Sequence, residues 1–174
     1  MNRLEDLNDT QAELMAKGLL CSKEVAKEKL RKIVYDGLKK YFKRIKCYDN
    51  VPETFEKFKN AGFKLALLSD FPPEQKGEIW GVKKYCDVVL GTEQLGALKP
   101  DPYSFLEMAK MLNVEPSKIL YVGNSKKYDV AGSHNAGMKC AYLVPFRKRL
   151  FKKFIKEPEI CFSNYRQLQD IVLQ

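Results

Sequence analysis

The sequence predicts an α/β fold, a parallel sheet covered by helices on both faces, preceded by a purely helical segment. Two observations carry this expectation. From Tyr48 onward, short apolar runs alternate with helix-length amphipathic stretches and are punctuated by Gly and Pro, the pattern of successive βαβ units. Residues 1–46, by contrast, contain no Pro, two Gly and almost unbroken helical periodicity. The chain of 174 residues is long enough for one ordinary domain with a smaller appendage, and the change of texture divides it into 1–46 and 47–174.

The elements follow in order. Over residues 23–46, Val25, Leu30, Ile33, Val34, Leu38, Phe42 and Ile45 recur at three and four residues among Lys and Arg, so this stretch reads as an amphipathic helix with a cationic outer face. Ser22 stands where it can cap the helix, with Glu24 in the first turn. Residues 53–61 read as a helix stopped by Gly62, and residues 103–112 as another, with Pro102 suited to its first position. Four runs read as strands: Lys64-Leu65-Ala66-Leu67-Leu68, Val88-Val89-Leu90, Ile119-Leu120-Tyr121-Val122 and Cys140-Ala141-Tyr142-Leu143. Their continuous apolar character fits strands buried on both faces.

Composition removes several classes. With 45% hydrophobic and 30% charged residues, the chain can bury a core and is not a disordered or collagenous sequence. No apolar run approaches the ~20 residues of a membrane span, and the opening Met1-Asn2-Arg3-Leu4-Glu5-Asp6 lacks the apolar stretch of a secretory signal. Five scattered cysteines without a Cys-x-x-Cys pair argue against a disulfide framework or zinc finger. They lead us to expect reduced, buried thiols in a cytoplasmic protein. The excess of 31 Lys and Arg over 22 Asp and Glu, +9 in all, could attract nucleic acid, anionic lipid or a phosphorylated substrate. Its densest string, Arg147-Lys148-Arg149-Leu150-Phe151-Lys152-Lys153-Phe154, reads as a solvated surface, and no nucleic-acid module accompanies it.

In parallel sheets the ligand sits beyond the carboxyl ends of the strands. The residues there are Ser69-Asp70-Phe71, Gly91-Thr92-Glu93 and Gly123-Asn124-Ser125, with Lys99-Pro100-Asp101-Pro102 on the loop opening a helix. A hydroxyl, a lysine and an Asn/Asp loop at one sheet edge suit a phosphoryl group: Ser69 and backbone N–H groups donate to its oxygens, and Lys99 offsets its charge. Against these roles stand plainer ones, Ser69 as a strand-end cap, Lys99 as a surface lysine and Asp129 as the N-cap of the helix from Val130; the flanking prolines favour the functional reading of Lys99. His134, the single histidine, reads as a surface residue.

Leu67-Leu68-Ser69-Asp70, Leu98-Lys99-Pro100-Asp101-Pro102 and the stretch from Tyr121-Val122-Gly123-Asn124-Ser125 through Asp129-Val130-Ala131-Gly132 resemble the second, third and fourth motifs of the haloacid dehalogenase-like (HAD) superfamily, in its phosphoglycolate-phosphatase-like branch. Order agrees, and so does spacing, with 30 residues from Ser69 to Lys99 and 25 from Lys99 to Asn124. The resemblance implies a Rossmann-like three-layer core over residues 47–174, a helical cap-like segment over 1–46, and magnesium-dependent hydrolysis of a small phosphate ester. In its terms Ser69 and Lys99 are catalytic phosphate ligands, and Asn124 and Asp129 are metal ligands, Asn124 replacing the usual Asp.

The family's first motif, a buried strand ending in Asp-x-Asp-x-Thr, supplies the phosphoryl-accepting aspartate. The nearest string, Asp6-Leu7-Asn8-Asp9-Thr10, has Asn8 at the acid/base position and only Met1 to Glu5 before it, too polar and short for a central strand. The implied protein is therefore a HAD-type phosphatase that is truncated or inactive as it stands. The alternative is a non-catalytic protein of the same fold that binds phosphate or a phosphometabolite. The absent strand would leave a central gap, which we expect to be closed by re-pairing of its two neighbours, by the N-terminal segment, or by a second chain or partner segment.

Overall fold

A computed structural model describes residues 3–144 and 158–174. The N-terminal segment is a helical hairpin. Helix α1 (Arg3–Leu19) packs along α2 (Lys23–Lys29), which runs through a π-helical stretch (Leu30–Gly37) into α3 (Leu38–Phe42). Ser22 caps α2 as expected, its Oγ accepting from Val25 N at 3.4 Å. Asp9 joins the two arms, 3.0 Å from Lys23 and 2.8 Å from Lys27, and these lysines, Lys27 foremost, hold its carboxyl below the ordinary range. The string Asp6 to Thr10 is thus a stretch of α1, with Thr10 Oγ1 bonded back to Asp6 O at 2.7 Å. The predicted single helix over 23–46 stops at Phe42 and is widened in the middle.

The hairpin is tied to the rest of the chain by a half-buried polar cluster. Glu93, only 6% exposed, accepts from Tyr35 Oη and from Gln11 Nε2 at 3.1 Å. Gln75 Nε2 donates to Tyr35 O at 3.1 Å. Gly96 holds φ +66°, and the backbone of Arg3 and Leu4 lies where a side chain would stand, so α1 can approach this turn only because glycine occupies it.

Helix α4 (Val51–Asn60) is followed by strand β1 (Ala66–Ser69), which pairs in parallel with β2 (Val88–Gly91) from Ala66↔Val88 to Ser69↔Gly91. Helix α5 (Pro102–Leu112) begins at Asp101, which caps Tyr103 N at 2.9 Å, with Pro102 at the first position. Strand β3 (Leu120–Gly123), a π-helical turn (Lys126–Val130), α6 (Ala131–Asn135) and β4 (Lys139–Leu143) follow. The chain closes with β5 (Ile160–Phe162) and α7 (Tyr165–Val172), β4 pairing in parallel with both β3 and β5. Strand β5, not predicted, is only three residues long, too short to show a period.

The α/β class holds, but the sheet is split into β1–β2 and β3–β4–β5. β1 and β3 do not pair, and the N-terminal segment lies in helices, so two of the three expected closures of the central gap are absent among the described residues. The apolar interior does not divide in the same way, since one cluster draws on both half-sheets. Phe105, Met108, Ala109 and Leu112 of α5 pack with Val88 and Tyr121, whereas Ala141, Leu143, Phe162 and Leu168 form a separate cluster. Helix α4 is joined to α7 by a hydrogen-bond chain, Lys57 Nζ to Gln169 Oε1 at 2.9 Å and Gln169 Nε2 to Thr54 Oγ1 at 2.7 Å.

The cysteines depart from expectation. Cys140 is buried, Cys21, Cys47 and Cys86 are half-buried, and Cys161 is exposed because it alternates outward on the edge strand β5. The basic string from Arg147 lies outside the described residues. No described helix is long and apolar enough to cross a membrane.

Candidate active site

The carboxyl ends of β1 and β3 meet around Lys99. Its side chain is 12% exposed, and its Nζ lies 2.8 Å from Asp129 Oδ1 and 3.8 Å from Asp70 Oδ2. Its backbone N–H donates to Asp70 Oδ1 at 3.3 Å, an oxygen that also accepts from Thr92 Oγ1 at 2.8 Å. The turn presenting Lys99 is held by two hydrogen bonds, Asp101 N to Leu98 O at 3.0 Å and Ser104 Oγ to Ala97 O; its Lys99–Pro100 peptide is cis.

Asp129 sits opposite and is 5% exposed. Its Oδ2 accepts from Asn124 N at 3.0 Å and Ser125 N at 2.9 Å, and its Oδ1 from Lys99 and, at 3.3 Å, from Tyr121 Oη. The π-helical turn lets the carboxylate fold back onto the end of its own strand. Gly123 makes room for it, since a Cβ there would overlap the Asp129 side chain. Asp129 is accordingly no N-cap: it lies inside the π-helical turn, which Ser125 caps, its Oγ accepting from Tyr128 N at 3.2 Å. Burial first, then the negative charge of Asp129, pushes the Tyr121 phenol well above its ordinary range, so it remains a hydrogen-bond donor.

Ser69 ends β1, where its Oγ accepts from Phe71 N at 3.2 Å and from Lys76 Nζ at 2.5 Å. It is both a turn cap and a hydroxyl facing the lysines. Lys76 has its ammonium pushed down by burial and then by the charge of Lys99, with Asp70 opposing. The two lysines therefore share one electrostatic environment.

Lys99, Asp129 and the end of β1 thus come together as expected. Asn124 contributes its backbone, but its carboxamide donates to Tyr48 Oη at 3.2 Å. His134 lies apart, 3.1 Å from Glu159, whose Oε2 also accepts from Cys140 N. Sequence reasoning missed Lys76 and assigned no role to Tyr121 or Thr92. The signal for Lys76 was the Pro72-Pro73 pair, which turns the chain sharply after Ser69 into a 3₁₀ turn, Pro73–Lys76, and returns the lysine to the strand end.

Magnesium demands several oxygen ligands in near-octahedral arrangement. Both Asp129 oxygens are already taken by four protein donors, the Asn124 side chain is turned to Tyr48, and no group of three or more His, Cys, Asp or Glu side chains is placed to hold a metal among the described residues. The donor set as arranged does not form a magnesium site, and the expectation of that ion rests on resemblance alone.

A cavity of about 760 Å³ opens between β1 and β3, with Leu67, Leu68, Leu120 and Val122 on its strand walls and Lys99 and Asp129 also lining it.

Comparison with known proteins bears on family and fold. The profile of the haloacid dehalogenase-like hydrolases matches residues 3–143. A phosphoglycolate phosphatase of Aquifex aeolicus is 31% identical over 126 residues, 68% of this chain and 59% of that enzyme. A glyceraldehyde 3-phosphate phosphatase of Methanopyrus kandleri is 33% identical over 100 residues, 56% of this chain and 43% of that enzyme. The chain thus spans about half the length of the curated relatives it matches. Among solved structures, a β-phosphoglucomutase from Clostridium difficile superposes with a TM-score of 0.75 at 18% identity, covering 100% of this chain and 76% of its own. A HAD phosphatase from Thermococcus onnurineus gives 0.68 at 24%, covering 97% and 90%. These two likenesses speak to the fold, and the match of the family profile over most of the sequence decides the membership: the chain belongs to the haloacid dehalogenase-like hydrolase family.

Proposed function

We propose that the chain carries the phosphoryl-binding part of a phosphatase site for small phosphate monoesters, and that by itself it binds the phosphoryl group without hydrolysing it. The observation that carries this reading is Lys99, a nearly buried ammonium held between Asp129 and Asp70 beside Ser69. A phosphoryl group entering here meets Ser69 Oγ–H and the Asp70 N–H as donors, and the Lys99 and Lys76 ammonium groups as counter-charges. The phosphatase names of its relatives support the substrate class. Hydrolysis through a covalent intermediate also needs a carboxylate free to attack phosphorus in line at ~3–3.5 Å. The two carboxylates beside Lys99 are both occupied, Asp129 by four donors and Asp70 by Thr92 and the Lys99 amide. That engagement also favours the second reading, a phosphate-binding protein with no turnover of its own. The free thiols are in keeping with a reducing, cytoplasmic setting.

Titration calorimetry with inorganic phosphate, alongside an aryl phosphate turnover assay with added magnesium, tests the proposal. The expected result is phosphate binding that weakens at least about tenfold in Lys99→Ala, the equivalent of ~1.4 kcal/mol, with no turnover in either protein. Phosphate affinity unchanged by Lys99→Ala refutes the binding site. Turnover that survives purification and disappears in Lys99→Ala refutes the inactivity.

A further inference from the structure

The hydroxyl that ends β1 is held in a closed ring of contacts, and one member of that ring comes from the helical hairpin. Ser69 Oγ accepts from Phe71 N at 3.2 Å and from Lys76 Nζ at 2.5 Å. The Lys76 ammonium stands over the ring of Phe42, 5.3 Å from its centroid. Phe42, the last residue of α3, meets Phe71 edge to face with ring centroids 5.4 Å apart, and the Phe71 N–H closes the ring at Ser69. A hydroxyl has two lone pairs and one proton. With both lone pairs engaged, Ser69 has its O–H left to offer a ligand. Lys76 spends one of its three N–H donors on Ser69 and keeps the others. The hairpin grips the same turn one residue earlier, where Gln75 Nε2 donates to Tyr35 O at 3.1 Å.

We propose that Phe42 is a positioning residue of the phosphoryl site: its ring face seats the Lys76 ammonium against Ser69, so the hairpin supplies part of the affinity for phosphate without contributing a polar group to the site. This role presupposes the phosphate-binding reading above; its cause is the ring geometry. Lysine carries its charge on a flexible four-carbon stem, and the charges acting on Lys76 oppose one another, Lys99 repelling it and Asp70 attracting it. An aromatic face adds attraction without bringing a second carboxylate, which would repel a phosphoryl group. Leucine at the same place would keep α3 packed on the turn through apolar contact but would offer the ammonium no π face.

Calorimetry with inorganic phosphate on the full chain tests the consequence, and an NMR titration of the Lys76 amine without phosphate tests the cause. Phe42→Leu should weaken phosphate binding about threefold to tenfold, and Phe42→Tyr, which keeps the ring face, should recover most of the loss. In a Lys76→Met background Phe42→Leu should have less than about a twofold effect, because the group it seats is gone. The Lys76 amine should lose its proton at lower pH in Phe42→Leu than in the wild-type chain, since the removed interaction favours the charged form. An unchanged amine titration, an equal loss of affinity with and without Lys76, or full affinity in Phe42→Leu while Lys99→Ala still weakens binding would each overturn the proposal. If Lys99→Ala also leaves phosphate binding unchanged, the phosphate-site reading falls with the consequence, and the amine titration alone then decides whether Phe42 seats Lys76.

Discussion

Replacing Lys99 by Ala should cost stability as well as phosphate binding, because its ammonium lies 2.8 Å from the buried Asp129 carboxylate. Breaking a buried ion pair by deleting one partner costs ~3–5 kcal/mol, chiefly because the surviving charge is left in a poorly solvated place. Here Asp129 keeps Tyr121 Oη and the Asn124 and Ser125 amides, so the lower end, about 3 kcal/mol, is expected. For a chain of this length that corresponds to a Tm lower by roughly 6–12 °C. Asp129→Asn in the Lys99→Ala background removes the stranded charge and should recover part of the loss, giving a coupling energy of about 2 kcal/mol in the double-mutant cycle. Urea unfolding of the four proteins, followed by circular dichroism, measures it. A Lys99→Ala cost below ~0.5 kcal/mol, or a coupling energy of zero, would refute the argument that these two groups form one interdependent unit at the strand ends.

Gly123→Ala should destabilise by about 1–3 kcal/mol, since its Cβ overlaps Asp129 and the turn must shift to admit it; thermal unfolding measures the loss, and a wild-type Tm would contradict it. Because the Lys76 ammonium is held below the ordinary lysine range, it loses its proton before a solvated lysine does. Phosphate affinity should therefore fall as pH rises while ordinary lysines are still charged, and calorimetry across alkaline pH should find that step missing in Lys76→Met. The same shift has a stability sign. Folding is penalised while Lys76 is charged, so its contribution becomes less unfavourable as pH rises through the folded pKa toward the unfolded one. Tyr35→Phe removes a donor to the buried Glu93 that joins the helical hairpin to the core. It should cost about 1–3 kcal/mol, the penalty for an under-satisfied buried acceptor, and raise exchange at α1 amides before those of β4.

Much of the fold was legible because it is encoded locally. The four apolar runs became β1 to β4 within two residues of their predicted ends, and Ser22 caps α2 as read. Lys99 meets Asp129 beside the end of β1 because parallel strands deliver their carboxyl ends to one edge, so motif order alone brings distant residues together. What the sequence could not show depends on contacts between remote segments. Whether Asp129 or Ser125 caps the turn hinged on the π-helical widening and on the space at Gly123, which decide that the carboxylate turns back to its own strand. Lys76 joined Ser69 through the path of a proline turn, and Tyr121 joined Asp129 across the strand-to-helix junction. The sheet could be read as a set of strands but not as two halves. Apolar periodicity records that a strand is buried and says nothing of what lies on its edge, because edge pairing is made by backbone groups that every residue carries alike. Only the tertiary structure, in which β1 and β3 stand apart across a cavity, decides that the centre of the sheet is open among the described residues.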